Sequence, residues 1–105
     1  MGFPCNQFMG QESKCEVDIK MMAIETYGVK FPLFSKIEVN GANSHEVYKY
    51  LRRESELLDK GKDTVKEIPW NFSKFLLDNK GKVVGFYPPT VTPKELEPII
   101  DKLIK

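Results

Sequence analysis

The segment that most constrains the fold is residues 68–78, which read Ile-Pro-Trp-Asn-Phe-Ser-Lys-Phe-Leu-Leu-Asp. Its consecutive apolar residues at 75–77 are typical of a strand covered on both faces, and such a strand needs helices on both sides of its sheet. The next residues, Asp78-Asn79-Lys80-Gly81, predict a tight turn, and the apolar and aromatic residues at 82–87 predict a second strand. We therefore expect a buried strand that starts at Trp70 and belongs to an antiparallel hairpin.

Trp70 and Asn71 are the first two residues of this predicted strand. The indole N–H is only a donor and the carboxamide adds two more N–H donors, so the pair suits an anion or a developing negative charge better than proton transfer. The sequence leaves a second interpretation open, in which Trp70 is a core aromatic residue and Asn71 is a turn residue at the strand entry.

Length and composition exclude several classes of protein. A chain of 105 residues predicts a single domain with one modest core. The 16 basic and 15 acidic residues leave a net charge of +1, so nothing calls for a nucleic acid or an anionic membrane as a partner. The apolar runs fall far short of the roughly 20 residues that span a bilayer. Because the N-terminus lacks a signal-peptide pattern, we expect a cytosolic protein, and an abrupt start is also compatible with a truncation that removed a targeting segment.

The chain offers little for metal binding. Cys5 and Cys15 do not form a disulfide framework, and no CxxC motif or His-Cys cluster is present. His45 lies in a predicted helix start, and we interpret it as a solvated residue of the first helical turn. We therefore expect no structural metal and no bound cofactor.

Capping and periodicity signals predict the elements of the first half of the chain. Residues 3–8 are typical of the exit of a strand, and residues 31–41 of an extended segment. Between them a helix is expected from Cys15 to Thr26, with Ser13 as its cap and Gly28 at its end. The apolar face of this helix is predicted to consist of Ile19, Met22, Ala23 and Tyr27.

The middle of the chain is predicted to contain a helix and a loop. The amphipathic helix is expected from Ser44 to about Arg53, and the charged segment 54–67 is interpreted as a surface loop with one helical turn at Leu57-Leu58. The lysines of this loop alternate with acidic residues, so we interpret them as solvated and not as a site for a polyanion. These lysines are Lys60, Lys62 and Lys66.

A last helix begins with a strong capping signal. Thr92 is the cap, Pro93 takes the first helical position and Glu95 lies three residues after the cap. Pro98 should kink this helix or delay its regular start. Its apolar stripe is predicted to consist of Leu96, Ile99, Ile100, Leu103 and Ile104. The order of elements predicts most of a thioredoxin-like α/β fold, with a mixed sheet and flanking helices.

Several motifs, in order along nearly the whole chain, closely resemble the glutathione peroxidase family. They are Phe3-Pro4-Cys5-Asn6-Gln7-Phe8 with Gln11-Glu12, Gly28-Val29-Lys30-Phe31-Pro32, Val39-Asn40-Gly41 and Trp70-Asn71-Phe72-Ser73-Lys74-Phe75-Leu76. In that family a peroxidatic selenocysteine or cysteine is surrounded by a glutamine, a tryptophan and an asparagine. Motif matching places these three on Gln11, Trp70 and Asn71. The resemblance implies that the fourth member lies upstream of Phe3, so that this chain lacks the first βα unit, which carries the peroxidatic residue.

The resemblance implies a thiol peroxidase that reduces hydrogen peroxide or lipid hydroperoxides in the response to oxidative stress. Glutathione or thioredoxin would be the reductant, and the short segment between Gly41 and Trp70 is similar to that of the monomeric branch that reduces phospholipid hydroperoxides. N–H donors from the three matched residues would favour a thiolate, hold the peroxide and stabilise the charge on the departing oxygen. Without the nucleophile, the 105-residue chain is expected to be inactive or nearly so.

Other positions depart from the family pattern. The resolving cysteine of thioredoxin-dependent members falls on Ala23, which leaves Cys15 as a hypothetical substitute. The usual Pro-Gly after Gln11-Glu12 is replaced by Ser13-Lys14, which is expected to loosen the loop that carries Gln11. Cys5 is interpreted as a buried structural thiol. An alternative function is therefore a catalytically inactive thioredoxin-like module that binds a partner or senses oxidation through Cys5 and Cys15.

Overall fold

The computed structural model describes residues 1–59, 61 and 64–104, which form two compact units, Met1–His45 and Glu46–Lys105. The elements are α1 (Glu16–Tyr27), α2 (Glu46–Arg53), β1 (Leu58–Asp59), β2 (Thr64–Val65), β3 (Lys74–Leu77), β4 (Val83–Tyr87) and α3 (Pro93–Leu103). None of the helices in the described ranges is both long enough and apolar enough to cross a membrane.

In the first unit, the N-terminal segment pairs in parallel with the extended segment at 31–41. Gly2 N donates to Pro32 O at 2.8 Å, and Phe34 N donates to Gly2 O at 2.9 Å. A Cβ atom at Gly2 would lie 2.7 Å from Leu33 Cδ2, so glycine permits this close approach. The stacked rings of Phe3 and Phe34, 4.8 Å apart, extend the contact. Neither segment forms a regular strand: beside the isolated bridge between Gly2 and Leu33, Ile37 N donates to Pro4 O at 3.0 Å.

Helix α1 begins one residue later than expected and has a different cap. Its N-cap is Cys15, whose side chain makes no capping hydrogen bond. The assignment of Ser13 as cap is therefore wrong, because a cap must be the residue next to the first helical turn for its oxygen to reach the free N–H groups there. The predicted end is confirmed, since Gly28 has φ 65° and its N–H donates to Ile24 O at 3.0 Å. Ile19 is buried, whereas Tyr27 is 75% exposed and lies outside the buried face.

In the second unit, α2 packs on the hairpin formed by β3 and β4. Leu51 is buried, and the Tyr48 ring meets the Phe75 ring edge-on with centroids 6.0 Å apart. The Tyr50 hydroxyl donates to Gly81 O at 2.8 Å. The helix begins at Glu46, two residues after the predicted start at Ser44.

The segment predicted as a charged loop contains a small antiparallel pair. Leu58 pairs with Val65, so the predicted helical turn at Leu57-Leu58 is wrong. The Arg52 guanidinium donates to Val65 O at 3.2 Å and to Lys66 O at 3.0 Å, and these long-range bonds hold β2 beside α2. Such tertiary contacts leave no local sequence signal. Lys60 and Lys62, which the sequence predicts to be solvated, lie outside the described residues.

The predicted hairpin of β3 and β4 is confirmed. Asp78 Oδ1 accepts from Lys80 N and Lys82 N, both at 2.9 Å, and Gly81 has φ 83°. The register shifts between Leu76 and Leu77, which marks a bulge. The expected burial of this strand on both faces is not found, because its described side chains are half-buried and Leu77 is 38% exposed.

Helix α3 has the predicted capping box. Glu95 N donates to Thr92 Oγ1 at 3.3 Å, and Thr92 N donates to Glu95 Oε2 at 3.0 Å. The helix is regular from Pro93 onward, so Pro98 does not delay its start. Leu96 is buried, but Ile104 is the C-cap and is 76% exposed, so the apolar stripe ends before it.

Candidate functional site

Trp70 and Asn71 lie in a turn that precedes β3. The predicted strand start at Trp70 is wrong, because β3 begins only at Lys74. Phe72 has φ 63°, and a bulky residue in this left-handed region interrupts extended backbone. The residues that the sequence places on one strand therefore occupy a bend followed by a strand.

Two side chains hold this turn in place. The Ser73 hydroxyl donates to Trp70 O at 2.8 Å, and the Lys74 ammonium donates to Phe72 O at 2.7 Å. Ile68, which is 4% exposed, anchors the segment before the turn. Trp70 is 38% exposed, which excludes the interpretation that it is a core residue. Its backbone is thus fixed while its indole remains accessible.

Gln11 lies in the first unit, in an exposed loop between Phe8 and α1. The loop reverses direction at Met9, with φ 58°, and at Gly10, with φ 61°. Asn6 Oδ1 accepts a hydrogen bond from Glu12 N at 2.8 Å, which closes the loop around Gln11. The structure thus brings Trp70 and Asn71 together in one turn, and places Gln11 in the other compact unit.

The carboxamide of Gln7 holds the start of this loop. Its Oε1 accepts from Val39 N at 2.7 Å and from Asn40 N at 3.0 Å, and its Nε2 donates to Asn40 O at 2.8 Å. The sequence indicates Asn6 only as a residue that turns the chain after the predicted strand exit, and it gives Gln7 no role. Two consecutive carboxamides before a Met-Gly turn were the available signal, because such side chains often bond to backbone groups in loops.

The two cysteines occupy different environments. Cys5 is buried, and its Sγ lies 3.5 Å from both the backbone N and the Oε1 of Gln7. Cys15 is exposed at the N-cap of α1, and Ala23 lies half-buried on the same helix. His45 is exposed. Within the described part of the chain, no group of three or more His, Cys, Asp or Glu side chains could hold a metal ion.

Comparison with solved structures defines the class of fold. The chain is similar to the crystal structure described as Trgpx in apo form, with a TM-score of 0.68 and 35% sequence identity. The match covers 98% of this chain and 54% of that one. The predicted class, a mixed α/β fold of the thioredoxin-like type, is confirmed.

Sequence comparison defines the family. The glutathione peroxidase family model matches residues 1–52. The glutathione peroxidase homolog BsaA of Bacillus subtilis is 49% identical, and the match covers 100% of this chain and 63% of BsaA. A glutathione peroxidase of Schistosoma mansoni is 44% identical, with 100% and 59% covered, and the hydroperoxy fatty acid reductase of Synechocystis is 44% identical, with 99% and 62% covered. The chain belongs to the glutathione peroxidase family and spans less than two thirds of the length of these relatives.

Proposed function

We propose that this chain is part of a thiol peroxidase that reduces hydrogen peroxide or lipid hydroperoxides, with Gln11, Trp70 and Asn71 as its donor residues. One structural observation carries the proposal. Among the described residues, the non-glycine positions with positive φ are Met9 and Phe72. Each lies within two residues of a proposed site residue, and strained backbone of this kind concentrates at functional sites.

The proposed chemistry uses these residues as hydrogen-bond donors. A thiolate attacks one oxygen of the peroxide, the O–O bond breaks, and the departing oxygen takes the electron pair and then a proton to give water or an alcohol. The sulfur is left as a sulfenic acid, which thiols of glutathione or thioredoxin reduce. The carboxamides of Gln11 and Asn71 and the indole N–H of Trp70 would orient the peroxide and stabilise the charge on the departing oxygen.

We assign the nucleophile to neither cysteine of this chain. Cys5 is buried against Gln7, where a peroxide has little access, and Cys15 lies at the N-cap of α1 and not on a proposed donor turn. The 105-residue chain alone is therefore expected to be inactive or nearly so. A monomeric state, a role in oxidative stress and a cytosolic location are further proposals that rest on the sequence.

The first test is peroxide consumption by the purified 105-residue chain. Recycling of glutathione or thioredoxin is coupled to NADPH oxidation, and the variants Cys5→Ser and Cys15→Ser are assayed in parallel. We expect no turnover above the buffer rate in any of the three proteins. Turnover that disappears in one cysteine variant would show that the chain carries its own nucleophile and would contradict the assignment.

A second test addresses the donor residues directly. Trp70 is the single tryptophan of the chain, so its fluorescence reports on the proposed site. Titration with tert-butyl hydroperoxide should give a saturable change that Asn71→Ala weakens about tenfold, the effect of losing one well-placed hydrogen bond. Asn79→Ala, in the exposed hairpin turn of the same unit, is the matched control. An equal response of the two variants would contradict the role of Asn71.

A further inference from the structure

A hydrogen bond from backbone to side chain closes the loop at residues 6–12, which carries Gln11 near its C-terminal end. The chain turns through the left-handed residues Met9 and Gly10, and the Asn6 carboxamide oxygen then accepts from Glu12 N at 2.8 Å. A Cβ atom at Gly10 would lie 4.0 Å from Asn6 Oδ1, so the turn folds back over the asparagine side chain. Asn6 therefore joins the two ends of the loop.

Hydrogen bonds join the chain on both sides of this loop to the segment at 31–41. On the side before the turn, the Gln7 carboxamide bonds to the backbone of Val39 and Asn40. On the side after Gln11, the Lys36 ammonium donates to Lys14 O. The hydrogen bond from Glu12 N to Asn6 Oδ1 closes the loop between these two points of attachment.

We propose that Asn6 is a positioning residue for Gln11, an inference that rests on the proposed function. The N–H group that donates to Asn6 Oδ1 belongs to the peptide group between Gln11 and Glu12. Because a peptide group is planar, fixing this N–H also fixes the carbonyl carbon of Gln11 and restricts the direction of its side chain. A donor whose backbone is already oriented stabilises developing charge without reorganising during the reaction.

The Asn6 side chain thus acts on Gln11 through the backbone, without contact with substrate. Asp at position 6 retains the accepting oxygen, whereas Ala removes it. The pair Asn6→Asp and Asn6→Ala therefore separates the hydrogen bond from other effects of substitution.

The test is amide hydrogen exchange of the ¹⁵N-labelled 105-residue chain, measured by NMR. In Asn6→Ala the Glu12 amide should exchange about tenfold faster than in the unchanged chain, and the ¹H–¹⁵N NOE of Gln11 should fall. Asn6→Asp should restore both values. The amides of Gly28 and Val29, which end α1 in the same unit, should change less than about twofold. Asn43→Ala, an exposed asparagine of the same unit, is the control substitution.

An unchanged Glu12 exchange rate in Asn6→Ala, or failure of Asn6→Asp to restore it, would overturn the inference. The unchanged chain provides a measurement that does not depend on folding of a variant, since exchange of Glu12 at the rate of an unstructured peptide would also overturn it. The proposed function is tested separately by the response of the Gln11 carboxamide signals to tert-butyl hydroperoxide. Failure of that response with normal Glu12 protection would contradict the role of Gln11 and not the loop closure by Asn6.

Discussion

Gln7→Ala should destabilise the first unit by about 2 kcal/mol. The substitution removes three hydrogen bonds of 2.7–3.0 Å to the backbone of Val39 and Asn40. Each such bond contributes roughly 0.5–1.5 kcal/mol to the free energy of unfolding. Because the two bonds to Asn40 are exposed to water, we expect a total loss in the lower half of the summed range. Val39 is 4% exposed, so its N–H would lose its acceptor in a place where water reaches it poorly.

The assay is urea unfolding followed by far-ultraviolet circular dichroism, together with amide exchange at Val39. A loss of about 2 kcal/mol corresponds to roughly 30-fold faster exchange of that amide. Gln7→Met keeps most of the apolar volume and removes the same three bonds, so it should lose about as much as Gln7→Ala. Retention of stability in Gln7→Met, or a change below about 0.3 kcal/mol in Gln7→Ala, would refute the argument from hydrogen bonding.

Three further substitutions test local features by urea unfolding. Asp78→Ala removes the acceptor for two backbone N–H groups in the hairpin turn and should cost about 1–2 kcal/mol, and Asn79→Ala next to it should cost less than about 0.5 kcal/mol. Thr92→Ala removes one half of the α3 capping box and should cost about 1 kcal/mol, and Thr92→Ser should restore most of it. Phe72→Val places a β-branched residue at φ 63° and should cost at least about 1 kcal/mol, although that side chain is 83% exposed. Equal stability of Phe72→Val and Phe72→Gly would contradict strain at this position.

The elements that the sequence predicts correctly are those with local signals. Gly28 ends α1 because glycine adopts the left-handed conformation without steric cost, and Thr92 caps α3 because its oxygen reaches an N–H three residues ahead. The turn from Asp78 to Gly81 is predictable for the same reason, since its hydrogen bonds join neighbouring residues. In each case the stabilising group and its partner lie within a few positions.

The incorrect predictions at Leu58 and Trp70 have different causes, long-range hydrogen bonds in the first case and a left-handed residue in the second. The pairing of Leu58 with Val65 accompanies hydrogen bonds from Arg52, which is separated from its acceptors by more than a dozen residues. The bend before β3 depends on Phe72, a residue that ordinarily favours strands and is here left-handed. Among the proposed site residues, the sequence itself indicates donor chemistry at Trp70 and Asn71, whereas Gln11 is assigned only by the family resemblance.

The proposed donor residues share a structural device that explains why their surroundings violate local preference. Near Gln11 the left-handed Met9 is 82% exposed, and next to Asn71 the left-handed Phe72 is 83% exposed, so neither conformation is stabilised by burial of its side chain. Instead, side chains bind the backbone of each bend, Asn6 in the first loop and Ser73 in the second. A polar side chain that bonds to backbone holds the bend in place without requiring burial of the neighbouring residues. The proposed donor role is therefore a better explanation for backbone strain at these two bends than a contribution to stability is.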